Sequence, residues 1–440
     1  MNDAFYHLVS LDKPRGQLTK KKCISLLILM TITALFATPT VAFARGNVRD
    51  DSQLHTASPT RPPHPNSSSN PTTSTAIPLL ISLHMLDKIH GWALTQNSIL
   101  HTVDGGLHWQ NVTPANAFSN TTTPMPTPQS AFLNDQDAWV VTPVATPPSR
   151  ALNGIRVLRT TDSGKSWQST NILTPAGART DAPHFLNPSN GWLQTFGQAG
   201  DSVSAIFHTT DGGKSWNEPG KLNQSYIPDP SGSSFSDDQT GWEAGDNPTA
   251  SMNNATNNAQ PLLDVTHNGG KTWQNQSLPV LPGGGKSDML STRPPVFFGN
   301  TGLLPVEDQI VPPRGSKSSP NIGLNLYVTH NGGQTWTPTK LVTSNGPYTF
   351  TIDVVDSQHA WATLGTILYA TSDSGQSWPK LPPTPQPLGT LDFIDANNGW
   401  AISSGGVIPG STKNQLPSML HTIDGGHTWQ QINYSIVGKA

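Results

Sequence analysis

The chain contains few of the residue types on which reactive or strongly charged sites depend. Cys23 is the only cysteine in 440 residues, so the chain cannot form an internal disulfide, and its cysteine content does not identify a redox compartment. Charged residues make up only 12% of the chain, and the net charge is −3. Nucleic-acid-binding proteins normally carry a basic stripe, so this composition predicts no nucleic-acid partner.

Long apolar runs are also scarce, and the one candidate lies near the N-terminus. Lys20 to Lys22 precede an uncharged run from Cys23 to Ala44, which ends in the small-x-small sequence Ala42-Phe43-Ala44. This pattern is typical of a secretory signal peptide, with Arg45 as the first mature residue. An uncleaved anchor is the alternative, because residues 23–44 are long enough to span a bilayer as a membrane tether. Both interpretations predict a secreted or extracytoplasmic protein.

Three regions follow from this reading. Residues 1–44 are the predicted signal peptide or membrane anchor, and residues 45–76 are a predicted disordered linker rich in Ser, Thr, Pro and Asn. Residues 77–436 are long enough for one large folded β domain, which we expect to be a monomer.

A nine-residue turn motif occurs seven times in the folded region. Each copy has Asp or Asn at its fourth position, Gly at its sixth and Trp at its ninth. The fourth positions are Asp104, Asp162, Asp211, Asn268, Asn331, Asp373 and Asp424. The closing tryptophans are Trp109, Trp167, Trp216, Trp273, Trp336, Trp378 and Trp429, spaced 42 to 63 residues apart. A repeat of this length, with strand and turn chemistry, is typical of one blade of a β-propeller.

A second motif alternates with the first and consists of an apolar pair, a short polar turn, and Gly or Ala before Trp. Its copies run over 85–92, 132–139, 185–192, 235–242, 354–361 and 393–400, with a degenerate copy over 296–303. The two motifs hold all 13 tryptophans, which argues for packing between blades. The sequence therefore predicts an all-β fold, a seven-bladed β-propeller of four-stranded antiparallel blades. In the first blade the expected strands are 77–86, 91–95, 98–103 and 107–112.

The turn motif has a structural explanation. Asp and Asn side chains accept hydrogen bonds from backbone N–H groups two residues on, and glycine supplies the positive φ of such turns. Asn268 and Asn331 replace Asp in two copies, and Asn cannot serve as a carboxylate acid, base or nucleophile. We therefore interpret the motif residues as structural and expect no catalytic residue among them.

Histidines recur in two columns of the repeat. His101, His208 and His421 occupy one column, and His267 and His330 occupy another. Separate blades hold the members of a column far apart around the ring, so the sequence predicts no shared metal site. No cofactor is expected either.

The turn resembles the Asp box, also called the bacterial neuraminidase repeat. Together with the second motif, it is similar to the photosystem II stability/assembly factor family and its non-photosynthetic relatives, over about residues 77–436. That resemblance implies a seven-bladed propeller outside the cytoplasm. Sialidases, xyloglucanases and sortilin-type receptors also carry Asp boxes, so the motif indicates the fold rather than the function.

The expected function is a non-catalytic binding or assembly module with a protein or carbohydrate partner. A sialidase-like site would need three arginines from different blades, a Tyr–Glu pair and an acidic Asp. The arginines of the repeat region are Arg150, Arg156, Arg159, Arg179, Arg293 and Arg314, and its glutamates are Glu218, Glu243 and Glu307. Three of these arginines lie in the second blade, and the Arg-Ile-Pro element is absent. A sialidase-like or other glycoside hydrolase is the alternative, because paired carboxylates have no fixed sequence spacing.

Topology predicts two unlike faces. Both motifs place short turns on one face, the box face, whereas the long insertions lie on the other, the long-loop face. The predicted long segments are 113–129, 142–154, 244–261, 279–295, 305–323 and 403–418. Long loops on a rigid scaffold often carry binding function. Within them Glu307, Asp308, Arg314 and Lys317 form a local charge cluster, which we consider for the binding face, although a solvated loop explains it at least as well.

Overall fold

A computed structural model of the protein describes most of the repeat region. The described residues are 78–118, 127–145, 152–174, 178–196, 205–220, 227, 229–247, 260–283, 289–310, 321–345, 350–407 and 414–438. The predicted signal peptide or anchor, the predicted linker, Arg314 and Lys317 lie outside them. The described residues form strands and no helix, so none of them belongs to a helix that could cross a membrane.

The first three repeats each form a separate sheet. The strands of the first are β1 Ser82–Met85, β2 Gly91–Leu94, β3 Ile99–Thr102 and β4 His108–Asn111. Those of the second are β5 Gln129–Phe132, β6 Asp137–Ala145, β7 Leu152–Thr161 and β8 Gln168–Leu173. Those of the third are β9 Arg179–Thr180, β10 His184–Phe185, β11 Gly191–Phe196 and β12 Ala205–Thr209. The predicted strand order of the first blade is confirmed, although β1 is shorter than expected.

The fourth and fifth repeats are joined in one ten-stranded sheet. Its strands are β13 Asp229–Phe235, β14 Gly241–Asn247, β15 Leu262–Thr266, β16 Gln274–Asn275, β17 Met289–Thr292, β18 Val296–Phe298, β19 Thr301–Ile310, β20 Asn321–Thr329, β21 Thr337–Pro338 and β22 Val342–Asn345. The joint is β17, in the link between the two repeats. Ser291 of β17 pairs with Asp246 of β14 on one side and with Glu307 of β19 on the other.

The last two repeats form separate sheets again. The sixth contains β23 Phe350–Val354, β24 Ala360–Leu364 and β25 Ile367–Thr371. The seventh contains β26 Leu388–Phe393, β27 Gly399–Ser403, β30 Met419–Thr422 and β31 Gln430–Ile432, with a hairpin of β28 Gly406–Val407 and β29 Asn414–Gln415. The sequence predicts seven separate four-stranded blades. Among the described residues, the hydrogen bonding instead gives five separate sheets of three to five strands, the two-stranded hairpin, and the ten-stranded sheet in which β17 links two repeats.

The sheets pack against one another in a closed circle. Seven hydrophobic clusters each combine buried side chains from two neighbouring repeats. The closing cluster joins Trp400 and Met419 of the seventh repeat to Leu83 and Trp109 of the first. The C-terminal strand β32 Ser435–Val437 adds to this seam by pairing parallel with β4. A ring of antiparallel sheets that closes on itself in this way is a β-propeller.

Several segments expected to be long loops are instead continuations of strands. Hairpin pairing continues to Ala145 and Leu152 in the second repeat and to Ile310 and Asn321 in the fifth. In the fifth repeat, both strands carry apolar side chains that are fully buried, so extending the pairing buries more apolar surface. The prediction of a loop is therefore wrong for residues 305–310 and 321–323, whereas residues 311–320 lie outside the described residues.

Candidate functional site

The nine-residue turn motifs, which we call box turns, are stabilised by a compact set of hydrogen bonds. The third repeat shows these hydrogen bonds clearly. Oδ1 of Asp211 accepts from the Thr209 hydroxyl at 2.8 Å and from the Ser215 backbone N–H at 2.9 Å. Oδ2 accepts from the Ser215 hydroxyl at 2.6 Å. Partial desolvation opposes the charge, but these hydrogen bonds from Ser215 and Thr209 prevail and lower the pKa of Asp211 to about 2. Gly212 and Gly213 complete the turn with φ of 75° and 91°, where a side chain is strained.

The turns with Asn make the same contacts without a charge. Oδ1 of Asn268 accepts from the Thr272 backbone N–H at 2.9 Å, and its Nδ2 donates to the Thr272 hydroxyl at 2.7 Å. Asn331 makes the equivalent pair with Thr335. The hydroxyl of Ser215 donates to Asp211, whereas the hydroxyl of Thr272 accepts from Asn268. The turn has the same hydrogen-bonded form in both cases. This geometry supports the structural interpretation of the motif.

Replacing Asp211 by Ala should lower the free energy of unfolding by about 1–3 kcal/mol, because three hydrogen bonds to the turn are lost. Asp211→Asn should cost much less, since Ser215 can accept from the amide as Thr272 accepts from Asn268. Thermal melts of the two variants measure the difference. Equal losses would show that the charge itself matters and that the structural interpretation is wrong.

Aromatic side chains explain why the repeat carries two tryptophans. Phe185 stacks on Trp139 of the preceding repeat, with ring centroids 3.6 Å apart, and meets Trp216 of its own repeat edge-on at 6.0 Å. Nε1 of Trp139, in the second repeat, donates to the Gly212 carbonyl in the turn motif of the third repeat at 2.8 Å. These ring contacts and this hydrogen bond connect neighbouring repeats near the box face.

The first histidine column packs on tryptophan within each repeat. His101, His208 and His421 lie 4.5, 4.5 and 4.4 Å from Trp92, Trp192 and Trp400, measured between ring centroids. Burial lowers the pKa of each of these histidines. Within the described ranges, no three His, Cys, Asp or Glu side chains converge as metal ligands.

Three cavities border the first strands of the repeats, which we call the inner strands, and we call the space that these cavities occupy the channel. One cavity of about 360 Å³ is bordered by β1, β5 and β10, and a second of about 560 Å³ by β10, β13 and β18. A third, of about 480 Å³, opens on the long-loop face and shares Asp181 with the second. We call this third cavity the channel mouth.

Four charged side chains from three parts of the ring line the channel mouth. They are Arg179 of β9, Asp181 after it, Asp246 of β14 and Arg293 after β17. Gln129, at the start of β5, and Ser231, near the start of β13, lie beside them. Asp246, Ser231 and Thr292, which precedes Arg293, belong to strands of the ten-stranded sheet. Hydrogen-bonded strands therefore hold much of the mouth in place.

Asp181 occupies a fitted position in the wall of the mouth. Gly232 lies at a β-bulge and has a φ of 140°. A Cβ at Gly232 would lie 2.0 Å from Oδ2 of Asp181, so glycine leaves room for the Asp181 carboxyl in this position. Burial raises the pKa of Asp181 to about 6, although backbone N–H groups of Ala182 and Ser233 and the charge of Arg293 oppose the shift. This carboxyl can therefore hold or release a proton near neutral pH.

Arg293 joins the mouth to the predicted charge cluster. Its Nη2 lies 4.0 Å from Oε2 of Glu307, and its guanidinium lies 6.0 Å from the Phe350 ring centre. Burial raises the pKa of Glu307, with Gln309 and Arg293 opposing. Glu307 and Asp308 are 6% and 0% exposed on β19, so the expectation of an exposed loop cluster is wrong for both. Glu307 does not line the mouth itself, but it lies next to Arg293, which does.

The residues of the mouth do not stand out in the sequence. Arg179 and Arg293 are two of a few arginines scattered over the repeat region. Each stands a few residues before the second motif of its repeat, which begins at Phe185 in the third repeat and at Val296 in the fifth. That shared position is the signal that would have indicated their convergence, because inner strands begin at the same end of the channel.

Comparison with known proteins gives distant structural similarity and no family. No family model and no curated protein matches the chain. A solved structure of YCF48 bound to D1 peptide is 15% identical, with a TM-score of 0.47 over 79% of this chain and 94% of that one. YCF48 from Cyanidioschyzon merolae is 16% identical, with a TM-score of 0.41 over 79% and 95%. An ulvan lyase of polysaccharide lyase family PL25 is 11% identical, with a TM-score of 0.44 over 82% and 94%.

The class of the protein therefore rests on its own fold and on the cavity described above. It is a β-propeller built from repeats, with short turns on one face and a charged cavity, the channel mouth, on the other.

Proposed function

We propose that this protein is a non-catalytic binding or assembly module that works outside the cytoplasm. Its partner, a protein or a carbohydrate, docks on the long-loop face at the channel mouth. The observation that carries this proposal is the convergence of Arg179, Asp181, Asp246 and Arg293 around one cavity of about 480 Å³. Pockets with a few converging polar groups are the usual places where ligands bind. The predicted signal peptide or tether over residues 23–44 supports the location.

We further infer that the ring counts seven structural units of the Asp-box type. Seven turn motifs and seven clusters between neighbouring repeats support this number. The ten-stranded sheet then contains two units, which β17 ties together. This pairing should hold the fourth and fifth units rigidly in place beside the channel mouth.

A glycoside hydrolase is the second candidate, and one observation favours it. Asp181 and Asp246 line the same cavity, and the raised pKa of Asp181, about 6, suits a proton donor. A panel of fluorogenic glycosides, sialosides included, separates the two functions. Turnover that is abolished by Asp181→Asn would replace the binding proposal with the hydrolase.

The binding face is tested by removing one charge from each face of the full-length protein. Arg293→Gln should weaken binding to peptides or glycans retained on arrays by roughly tenfold, because an ionic contact at the mouth is lost. Lys214→Gln removes the same charge from an exposed box turn and should leave binding unchanged. Titration of both variants against the retained probe measures the effect. Loss of binding only in Lys214→Gln would assign the partner to the box face.

A further inference from the structure

Three ionisable side chains meet on the inner strands where the ring closes. Nδ1 of His84, on β1, lies 3.2 Å from Oδ1 of Asp392, on β26. The other oxygen of Asp392 accepts from the Met85 backbone N–H at 2.5 Å. Oδ2 of Asp353, on β23, accepts from the Phe393 backbone N–H at 2.5 Å. Each carboxylate thus reaches across a seam to the backbone of the next repeat.

The same position of the repeat ties other seams with neutral groups. His184 Nε2 bonds with the Phe235 carbonyl at 2.9 Å, and the Ser234 hydroxyl donates to the Pro295 carbonyl at 2.7 Å. The second and fifth repeats have Ala131 and Val296 there. Among the described residues at this position, carboxylates occur only in the sixth and seventh repeats, so two successive seams depend on acidic acceptors.

The protonation of the cluster follows from its surroundings. Burial, and then the charge of Asp392, raise the pKa of Asp353 to about 7, against the Phe393 N–H and the charge of His84. Desolvation disfavours protonation of His84, but its hydrogen bond with Asp392 and the charges of both aspartates prevail and raise its pKa. His84 faces the channel, where its side chain is 47% exposed.

In the part of the chain that the structure describes, the strands next to the cluster bring no other charge to it. The strands β5, β24 and β27, next to these groups, carry no charged residue, and β5 contributes the Phe132 ring, 6.3 Å from His84. On β19, which packs against β23, Asp308 is enclosed and Glu307 lies beside Arg293. The ionisation of Asp353 therefore places a second negative charge beside Asp392 with only His84 to offset it.

We propose that this cluster makes closure of the ring depend on pH, so that the seams between the sixth, seventh and first repeats loosen when Asp353 loses its proton. An unfolded Asp titrates near 4, so the folded state binds the proton more tightly. Stability is therefore full below about pH 4 and falls as pH rises through about 7. His84 acts in the same direction, since its raised pKa adds stability that is lost as it deprotonates.

Hydrogen exchange on the full chain tests the proposal, with Asp353→Asn as the variant that cannot ionise. At about pH 8.5, amides of β1 and β26 should exchange at least about tenfold faster in the wild type than in Asp353→Asn, and at about pH 3.5, below the pKa of an unfolded Asp, the two should agree. Amides of β10 and β13 should not differ between them. Asp181→Asn is the matched control, because it removes another buried carboxyl with a raised pKa, and it should behave as the wild type at β1 and β26.

Equal exchange of wild type and Asp353→Asn at the higher pH would overturn the proposal. So would an increase spread evenly over all repeats, which indicates general destabilisation. Should Asp353→Asn fail to fold, the wild type alone decides. After correction for intrinsic exchange, protection of β1 and β26 relative to β10 and β13 should fall by about tenfold between the two pH values, and an unchanged ratio would contradict the proposal.

Discussion

Replacing Trp273 by Ala should lower the free energy of unfolding by about 3–5 kcal/mol, the usual cost of truncating a buried aromatic side chain. Trp273 is 3% exposed and meets Phe235 edge-on with ring centroids 6.1 Å apart. Phe235 in turn stacks on Trp192 of the preceding repeat at 3.9 Å. The truncation therefore leaves a cavity at a seam between two repeats, where the rigid sheets cannot close it.

Chemical denaturation monitored by circular dichroism measures this loss. Leu107→Ala is a suitable control, because Leu107 is 50% exposed in the first box turn and its truncation should cost under about 0.5 kcal/mol. A loss below about 1 kcal/mol for Trp273→Ala would show that the seam repacks and that the tryptophan is not a wedge between repeats.

Ending the chain after Ile432 should destabilise the ring by about 3 kcal/mol, since it removes the partly buried Tyr434 and Ile436 from the closing cluster. The same deletion removes β32 from its pairing with β4 and the hydrogen bond from the Tyr434 hydroxyl to the Pro78 carbonyl, 3.1 Å long. The first repeat would then lose the strand that covers its outer edge.

Thermal melts and hydrogen exchange of β4 report this effect. Removal of residues 439–440 alone leaves β32 intact and should change neither measurement. If both truncations melt at the wild-type temperature, closure of the ring rests on the remaining members of the closing cluster and not on β32, Tyr434 or Ile436.

Local patterns predicted the turns and strand order because their causes lie within a few residues. In the third repeat, Thr209, Asp211 and Ser215 satisfy one another inside a single turn, so their spacing is sufficient to recognise it. The tryptophans of the two motifs are likewise predicted to pack between blades, and the structure stacks Trp139 on Phe185 of the next repeat.

The sequence did not show how far strands continue into the predicted loops. Glu307 and Asp308 have the composition of an exposed loop, yet they lie on a long strand beside β17 and β20. Strand length there depends on pairing with partners distant in sequence, such as Ser291, which no local pattern contains.

By itself, the sequence determined the repeating unit, its turn chemistry and the packing role of its tryptophans, because these rest on short-range hydrogen bonds and a fixed period. Only the tertiary structure decided that β17 joins two repeats, that Arg179 and Arg293 face one cavity, and that Asp353, Asp392 and His84 meet at the closing seams. These features follow from closure of the ring, which brings together residues that are separated along the chain by up to several hundred positions.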